Sequence, residues 1–244
     1  MSHVLVTGAS SGIGRAIALS LAGRGVRVAL HYNSDRGGVE DTCKAMSGSG
    51  HMFFGADLSD AATIEPLWRE VISKFCTIDA LVNNAGVYEE HPPLTMDYAA
   101  WTRAIERTLA INFLGPARLS YFAARTMARR GHGRIVNISS RGAFRGEPTA
   151  PAYGASKAAV NAFSQSFAKA LAPKGVLVYV VAPGWVGTDR VSAYVRDPAV
   201  LSDQPLGRVA APEEVAKIVT FCVLDAPASL TGAVLDVNGA SYLR

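Results

Sequence analysis

Residues 7–14 of this chain read Thr7-Gly8-Ala9-Ser10-Ser11-Gly12-Ile13-Gly14, between a β-branched run, Val4-Leu5-Val6, and Ile13, Ile17, Ala18 and Leu21 at helical spacing. A strand, a glycine turn and a helix in immediate succession open a βα unit. The glycines permit a tight turn and close approach of backbone to a phosphate, and the helix that follows aims its first amides at the anion. The spacing is G-x-x-x-G-x-G rather than G-x-G-x-x-G, and three glycines alone would equally make a plain structural turn. Their place at the head of a βαβ pattern favours dinucleotide binding, by Gly8, Ser10, Ser11, Gly12, Ile13 and Gly14.

The same alternation continues down the chain. Strand-like runs at residues 26–30, 52–54, 80–82, 134–138, 177–181 and 234–237 are separated by helical stretches. With the first run they make seven strands joined by crossover helices. The expected fold is therefore α/β: a single-domain Rossmann fold over residues 1–244, doubly wound, with a mostly parallel seven-stranded sheet and helices on both faces. Of the 244 residues, 49% are hydrophobic and 18% charged, enough for one sizeable core. A net charge of +4, spread along the chain, gives no reason to expect a nucleic-acid partner. No run approaches the roughly 20 apolar residues of a membrane span, and the first residues lack signal-peptide features, so a cytoplasmic protein is expected. Three cysteines, Cys43, Cys76 and Cys222, offer no disulfide framework, and five histidines without ligand spacing give no reason to expect a metal.

In such sheets ligands sit beyond the carboxyl ends of the strands, so the residues there carry the chemistry. The second strand ends His31-Tyr32-Asn33-Ser34. A carboxylate at this point would bond the ribose 2′-hydroxyl of NAD and repel the 2′-phosphate of NADP. None stands at the strand end, whereas Asn33 and Ser34 can donate to a phosphate and Arg36 is close in sequence. NADP(H) is expected over NAD(H), with Asp35 the one acidic residue able to reverse the preference.

Tyr153-Gly154-Ala155-Ser156-Lys157 opens a long helical stretch, which puts Tyr153 and Lys157 on one face. An ammonium beside a phenol favours the phenolate and brings a tyrosine from a pKa of about 10 toward working pH, where it serves as an acid or base for a carbonyl/alcohol pair. Alone, such a pair is an ordinary helix-surface contact. Ser140, however, follows the hydrophobic run Arg134-Ile135-Val136-Asn137-Ile138, whose far end should open on the same cleft, where a hydroxyl can bond a carbonyl oxygen. Asn112, in the apolar stretch Ala110-Ile111-Asn112-Phe113, is either a satisfied core asparagine or part of the site.

Taken in order, residues 7–14, Asp57-Leu58, Asn83-Asn84-Ala85-Gly86, Asn112, Ser140, Tyr153 with Lys157, Pro183-Gly184 with Thr188, and Asp236-Val237-Asn238-Gly239 resemble the short-chain dehydrogenase/reductase family over essentially the whole chain. The resemblance implies that Tyr153 moves the proton and Ser140 polarises the carbonyl. Lys157 lowers the tyrosine pKa and bonds the nicotinamide ribose, and Asn112 holds a water that links Lys157 to solvent. It also implies that Asp57 and Leu58 hold the adenine, and that Asn84, Ala85 and Gly86 line the dinucleotide. Tyr153, Pro183 and Gly184 would also bind the cofactor, with Val186 and Thr188 at the carboxamide. Asn83 would brace neighbouring strands.

Within the family the chain is most similar to 3-oxoacyl-[acyl-carrier-protein] reductases of fatty acid biosynthesis, which implies an acyl-thioester substrate. Sugar, polyol and small-ketone enzymes share the same chemistry residues, so these substrates stay open, as does the remoter reading of a dinucleotide sensor without turnover. Relatives are commonly homotetramers packed through the helices that begin near Trp101 and Tyr153, and the apolar tail at residues 233–243 suits such an interface. Some residues depart from the pattern. Ser11 stands where many NADP-preferring relatives carry Arg or Lys, so Arg15 or Arg36 would have to hold the 2′-phosphate. Tyr179 replaces a common asparagine behind the site. The run Tyr88-Glu89-Glu90-His91-Pro92-Pro93 is expected to reshape one wall of the substrate cleft. Residues 189–203 read as a lid, with Trp185, Tyr194 and Val195 at the pocket, and Arg129, Arg130 and Lys174 are candidates to receive an acidic carrier protein.

Overall fold

The computed structural model describes residues 2–189 and 197–244. Its seven strands are β1 (His3–Val6), β2 (Arg27–Tyr32), β3 (Met52–Gly55), β4 (Ala80–Asn83), β5 (Gly133–Ile138), β6 (Val176–Pro183) and β7 (Val234–Val237). They form one sheet in the order β3-β2-β1-β4-β5-β6-β7. Every pairing is parallel, so the sheet is wholly rather than mostly parallel.

Continuous apolar strands are what a sheet covered on both faces requires. In β1, Val4 and Val6 point to one core and Leu5 to the other, as the two-residue period of a strand dictates. On the first face they meet Ile17 and Leu21 of α1 (Gly12–Ala22) and Val215 and Val219 of α9 (Pro212–Leu224). On the second, Leu5, Leu81 and Ile135 pack against Trp68 of α3 (Ala61–Phe75) and Leu119 and Met127 of α5 (Gly115–Arg130). Tyr179, on β6, is fully buried in the first core, its hydroxyl donating to Pro227 O at 3.3 Å and its ring 6.0 Å from the Arg134 guanidinium.

From β1 the chain builds outward to β3, then returns across β1 to place β4 on its other side. This reversal opens a crevice at the carboxyl ends of β1 and β4. Two further elements shape it. The helix α4 (Tyr98–Leu109) runs into α5 through a single π-turn, Ala110–Leu114, which carries Asn112. Such turns favour functional sites because the extra residue breaks the regular ladder. The other is α7 (Pro151–Leu171), whose proline stands at the start of the helix, where no amide donor is needed. Short helices α6 (Gly142–Arg145) and α8 (Pro198–Ser202) and the helix α2 (Arg36–Ala45) complete the rim. Tyr194 and Val195 lie outside the described residues. No described helix is long and apolar enough to cross a membrane.

Candidate functional site

A cleft of about 930 Å³ runs along the carboxyl ends of the strands. Apart from Arg15 and Arg36, the residues expected to touch a dinucleotide line it, and so does Ser140. Asn112 sits behind it, 1% exposed.

The glycine turn has the geometry its sequence requires. Gly8 and Gly12 take φ of +65° and +53°, which side chains resist. Gly14 is needed for space, since a Cβ there would overlap the carbonyl oxygen of Gly8 and the amide of Asn84. Thr7 and Asn84 then lock the turn to β4. The Thr7 hydroxyl accepts the amides of Asn84 and Ala85 at 2.9 and 3.0 Å, and Asn84 Nδ2 donates to Thr7 O and Gly8 O at 2.9 and 3.2 Å. His31 holds it from the other side: Nδ1 accepts Gly8 N–H at 3.3 Å and Nε2 bonds Ala56 O at 3.0 Å. Burial lowers the His31 pKa to about 4, so the ring is neutral and able to accept. The role of His31 carries no signal in sequence, because its partners come from two other segments.

At the far end, Asn33 and Ser34 line the cleft. Asp35 caps α2 by accepting Gly38 N–H at 2.9 Å, which ties its carboxylate to the helix. Neither Arg15 nor Arg36, the candidates for a 2′-phosphate, is among the residues that line the cleft, and Arg36 pairs with Glu40 at 2.8 Å and lies over the Phe53 ring. Asp57 lines the cleft with its carboxyl held below the usual range by hydrogen bonds from the Ser59 hydroxyl and amide, and Leu58 is buried beside it. Asn83 bridges strands, donating to Asn137 Oδ1 at 2.7 Å and Ser120 Oγ at 3.0 Å.

At the opposite end four side chains meet. Ser140 follows β5, and its Oγ accepts Gly142 N–H at 3.0 Å, leaving the hydroxyl proton for another acceptor. Lys157, 5% exposed, donates to Ile138 O at 2.9 Å and lies 5.7 Å from the centre of the Tyr153 ring. Asn112 Oδ1 accepts Val87 N–H at 2.8 Å, while Nδ2 donates to Val87 O at 2.9 Å and Ser156 Oγ at 3.2 Å. Asn112 thus braces the segment after β4 against α7. A Cβ on Gly86 would stand 3.3 Å from Asn112 Oδ1 and 3.5 Å from Lys157 Nζ, which places both groups close to the same short segment.

The substrate half holds Tyr88, Glu90 and Trp185, as expected of the cleft wall, together with Arg141, Arg145 and Glu147, which motif reading passed over. Tyr88 sets its ring edge-on to Tyr153 at 5.0 Å, and its hydroxyl bonds Thr149 Oγ1 at 3.3 Å. Glu90, Arg141, Arg145, Glu147, Trp185, Ala199, Val200 and Asp203 complete the wall. Arg129, Arg130 and Lys174 are elsewhere. They precede β5 and β6, at the amino ends of strands whose carboxyl ends form the cleft, and Arg130 is paired with Asp79 at 2.7 Å. A strand of six residues spans roughly 20 Å, so these cations do not border the site.

A parallel doubly wound sheet, with a glycine turn and a Tyr–Lys–Ser group at the two ends of one cleft, defines a dinucleotide-dependent oxidoreductase. The chain belongs to the short-chain dehydrogenase/reductase family, whose short chain dehydrogenase model matches residues 2–199. It is 38% identical to the 3-oxoacyl-[acyl-carrier-protein] reductase FabG of Escherichia coli (strain K12), over 98% of this chain and 96% of the relative. It is 37% identical to a cis-4-hydroxycyclohexanecarboxylate dehydrogenase of Sinomonas cyclohexanicum, over 96% of this chain and 94% of the relative. Among solved structures, a putative gluconate dehydrogenase from Agrobacterium tumefaciens superposes with a TM-score of 0.89 at 25% identity, covering 98% of this chain and 95% of its own.

Proposed function

We propose that the protein is an NADP(H)-dependent carbonyl reductase in which Tyr153 is the general acid. The observation that carries this reading is the convergence of Ser140, Tyr153 and Lys157 in the cleft that begins at the glycine turn. The residues suit the cofactor. The turn at Gly8, Gly12 and Gly14 leaves backbone exposed for a pyrophosphate, and no unengaged carboxylate stands beside Asn33 and Ser34. When bound, the reduced nicotinamide supplies the hydride. Ser140 donates its hydroxyl proton as a hydrogen bond to the substrate carbonyl oxygen, Tyr153 passes its proton to that oxygen as the alkoxide forms, and Lys157 stabilises the phenolate left behind. Asn112 keeps Gly86, Val87 and α7 in register around them.

Two substrate classes are compatible with this chemistry. Likeness to 3-oxoacyl-[acyl-carrier-protein] reductases supports a 3-oxoacyl thioester, reduced to the 3-hydroxyacyl form. The charged wall of Glu90, Arg141, Arg145, Glu147 and Asp203 favours the second reading, a polar carbonyl compound, because a hydrocarbon chain gains nothing from such groups. Loss of NADPH absorbance, and separately of NADH absorbance, tests both readings against an acetoacetyl thioester, simple ketones and sugars. Oxidation with the thioester alone supports the first reading and oxidation with ketones or sugars alone the second. Tyr153→Phe should lower turnover by at least about a hundredfold with cofactor affinity retained; unchanged turnover would overturn the mechanism. A homotetramer is the proposed assembly, for Leu114 and, on α5, Tyr121 are large apolar side chains left exposed, and light scattering measures it.

A further inference from the structure

The wall beyond Ser140 and Tyr153 carries more charge than reduction of a carbonyl requires. Arg141 follows Ser140 directly and is 6% exposed. Arg145 ends α6. Both guanidiniums donate to one carboxylate, Asp203 Oδ2, at 3.1 and 2.7 Å, and Glu90 Oε1 receives the Thr149 hydroxyl at 3.3 Å. These acidic groups have donors.

Glu147 is different. It lines the same wall, its carboxylate lies against Gly142 and its chain beside Gly154, at the root of the helix that carries Tyr153. Among the described residues no donor bonds this carboxylate; only the more distant charges of Arg145 and Arg141 act on it. Burial pushes its pKa up, which is the mark of a carboxyl group deprived of water without compensation by hydrogen bonds. Glu147 is half-buried, and a carboxylate that faces a cleft without a protein donor is open to a donor that a ligand brings. What Glu147 lacks is a donor, since an ionised carboxylate only accepts. With Arg141, Arg145, Asp203 and Glu147 ionised their charges cancel, and Glu90 on the same wall adds a negative charge that disfavours an anionic ligand. An alkyl chain brings no donor, whereas a hydroxyl group does.

Resting on the reductase reading above, we infer that Glu147, backed by the Arg141–Asp203–Arg145 group, is a subsite for a hydroxyl of the substrate, so that the carbonyl compound reduced here is a hydroxylated one. Glu147 accepts the hydroxyl proton as a hydrogen bond, and this contact fixes the carbonyl against Ser140 and Tyr153.

The test is NADPH oxidation with ketone pairs that differ by hydroxyl groups: acetone against dihydroxyacetone and cyclohexanone against 4-hydroxycyclohexanone. The wild-type protein should prefer the hydroxylated member of at least one pair by about 10- to 100-fold in kcat/KM, the worth of a hydrogen bond to a charged group. In Glu147→Leu that ratio should fall toward one, chiefly through KM, and Glu147→Gln, which keeps an acceptor oxygen and the same shape, should retain part of it. NADPH fluorescence on binding reports that each variant is folded, and the glutamine variant carries the test where leucine is not tolerated. A preference that survives in both variants, or a wild-type protein with no preference, would overturn the subsite. Turnover of an acetoacetyl thioester without turnover of any ketone would overturn it too while sparing the reductase reading. NADPH binding without oxidation by any carbonyl would overturn the reductase reading itself.

Discussion

The imidazole of His91 accepts the amide proton of Ala152 at 2.9 Å, one residue before Tyr153. The same ring bonds Glu89 O through Nδ1 at 2.8 Å, and the His91 amide donates to Thr149 O at 2.7 Å, with the side chain fully buried. The residue at the N-cap of α7, Ala150, has no side chain able to cap, so His91 performs that office from a separate loop.

Replacing His91 with Leu should therefore leave the Ala152 amide and Glu89 carbonyl unpaired and lower stability by about 1–2 kcal/mol, as loss of a cap does. Because the first turn of α7 carries Tyr153, kcat should fall more than KM rises. His91→Gln, which restores an acceptor near Nε2, should recover part of both. Thermal unfolding and steady-state kinetics on the two variants decide it; equal loss in both would refute a capping role.

His31 predicts an acid limb in stability. Its folded pKa of about 4 lies below the ordinary 6.5, so between these values the unfolded chain binds a proton that the folded chain does not. Stability from this group is complete above pH 6.5 and is lost as pH falls toward 4, by about 3 kcal/mol. Urea titrations from pH 7 to 4 should show the decline, and His31→Gln should flatten it; an undiminished slope would assign the limb to other groups.

Cofactor choice turns on position 33. Asn33→Asp should shift preference from NADPH toward NADH, because a carboxylate bonds the ribose hydroxyls and repels a 2′-phosphate. Asp35→Ala should instead cost about 1 kcal/mol through the lost cap of α2, without reversing the preference. Ratios of kcat/KM for the two cofactors measure each effect, and a reversal in the Asp35 variant would assign the choice to that residue.

Gly14→Ala is the sharpest test of the turn. A methyl group would collide with Gly8 O and the Asn84 amide, so α1 or β4 must move, at a cost of about 3 kcal/mol or more and with loss of dinucleotide affinity. Gly37→Ala, where a Cβ meets nothing within 4 Å, is the control. Comparable behaviour of the two variants would contradict the packing described.

Much of this protein is legible in its residues alone. Periodicity of two in Val4-Leu5-Val6 and of 3.6 in Ile13, Ile17 and Leu21 is a local property of backbone geometry, so strands, helices and their alternation can be read directly. The glycine turn, the Tyr153–Lys157 spacing and Ser140 at a strand end are local too, and the parallel order follows from crossover helices. What the tertiary structure decided are contacts between segments far apart in the chain. Gly8 meets His31 across 23 residues, Ala152 meets His91 across 61, and Arg141 meets Asp203 across 62. The placement of Arg130 at the amino edge of the sheet, and the lack of a donor to Glu147 among the described residues, belong with these. A side chain's partners depend on how closed layers bring segments together, and no spacing along the chain encodes that distance.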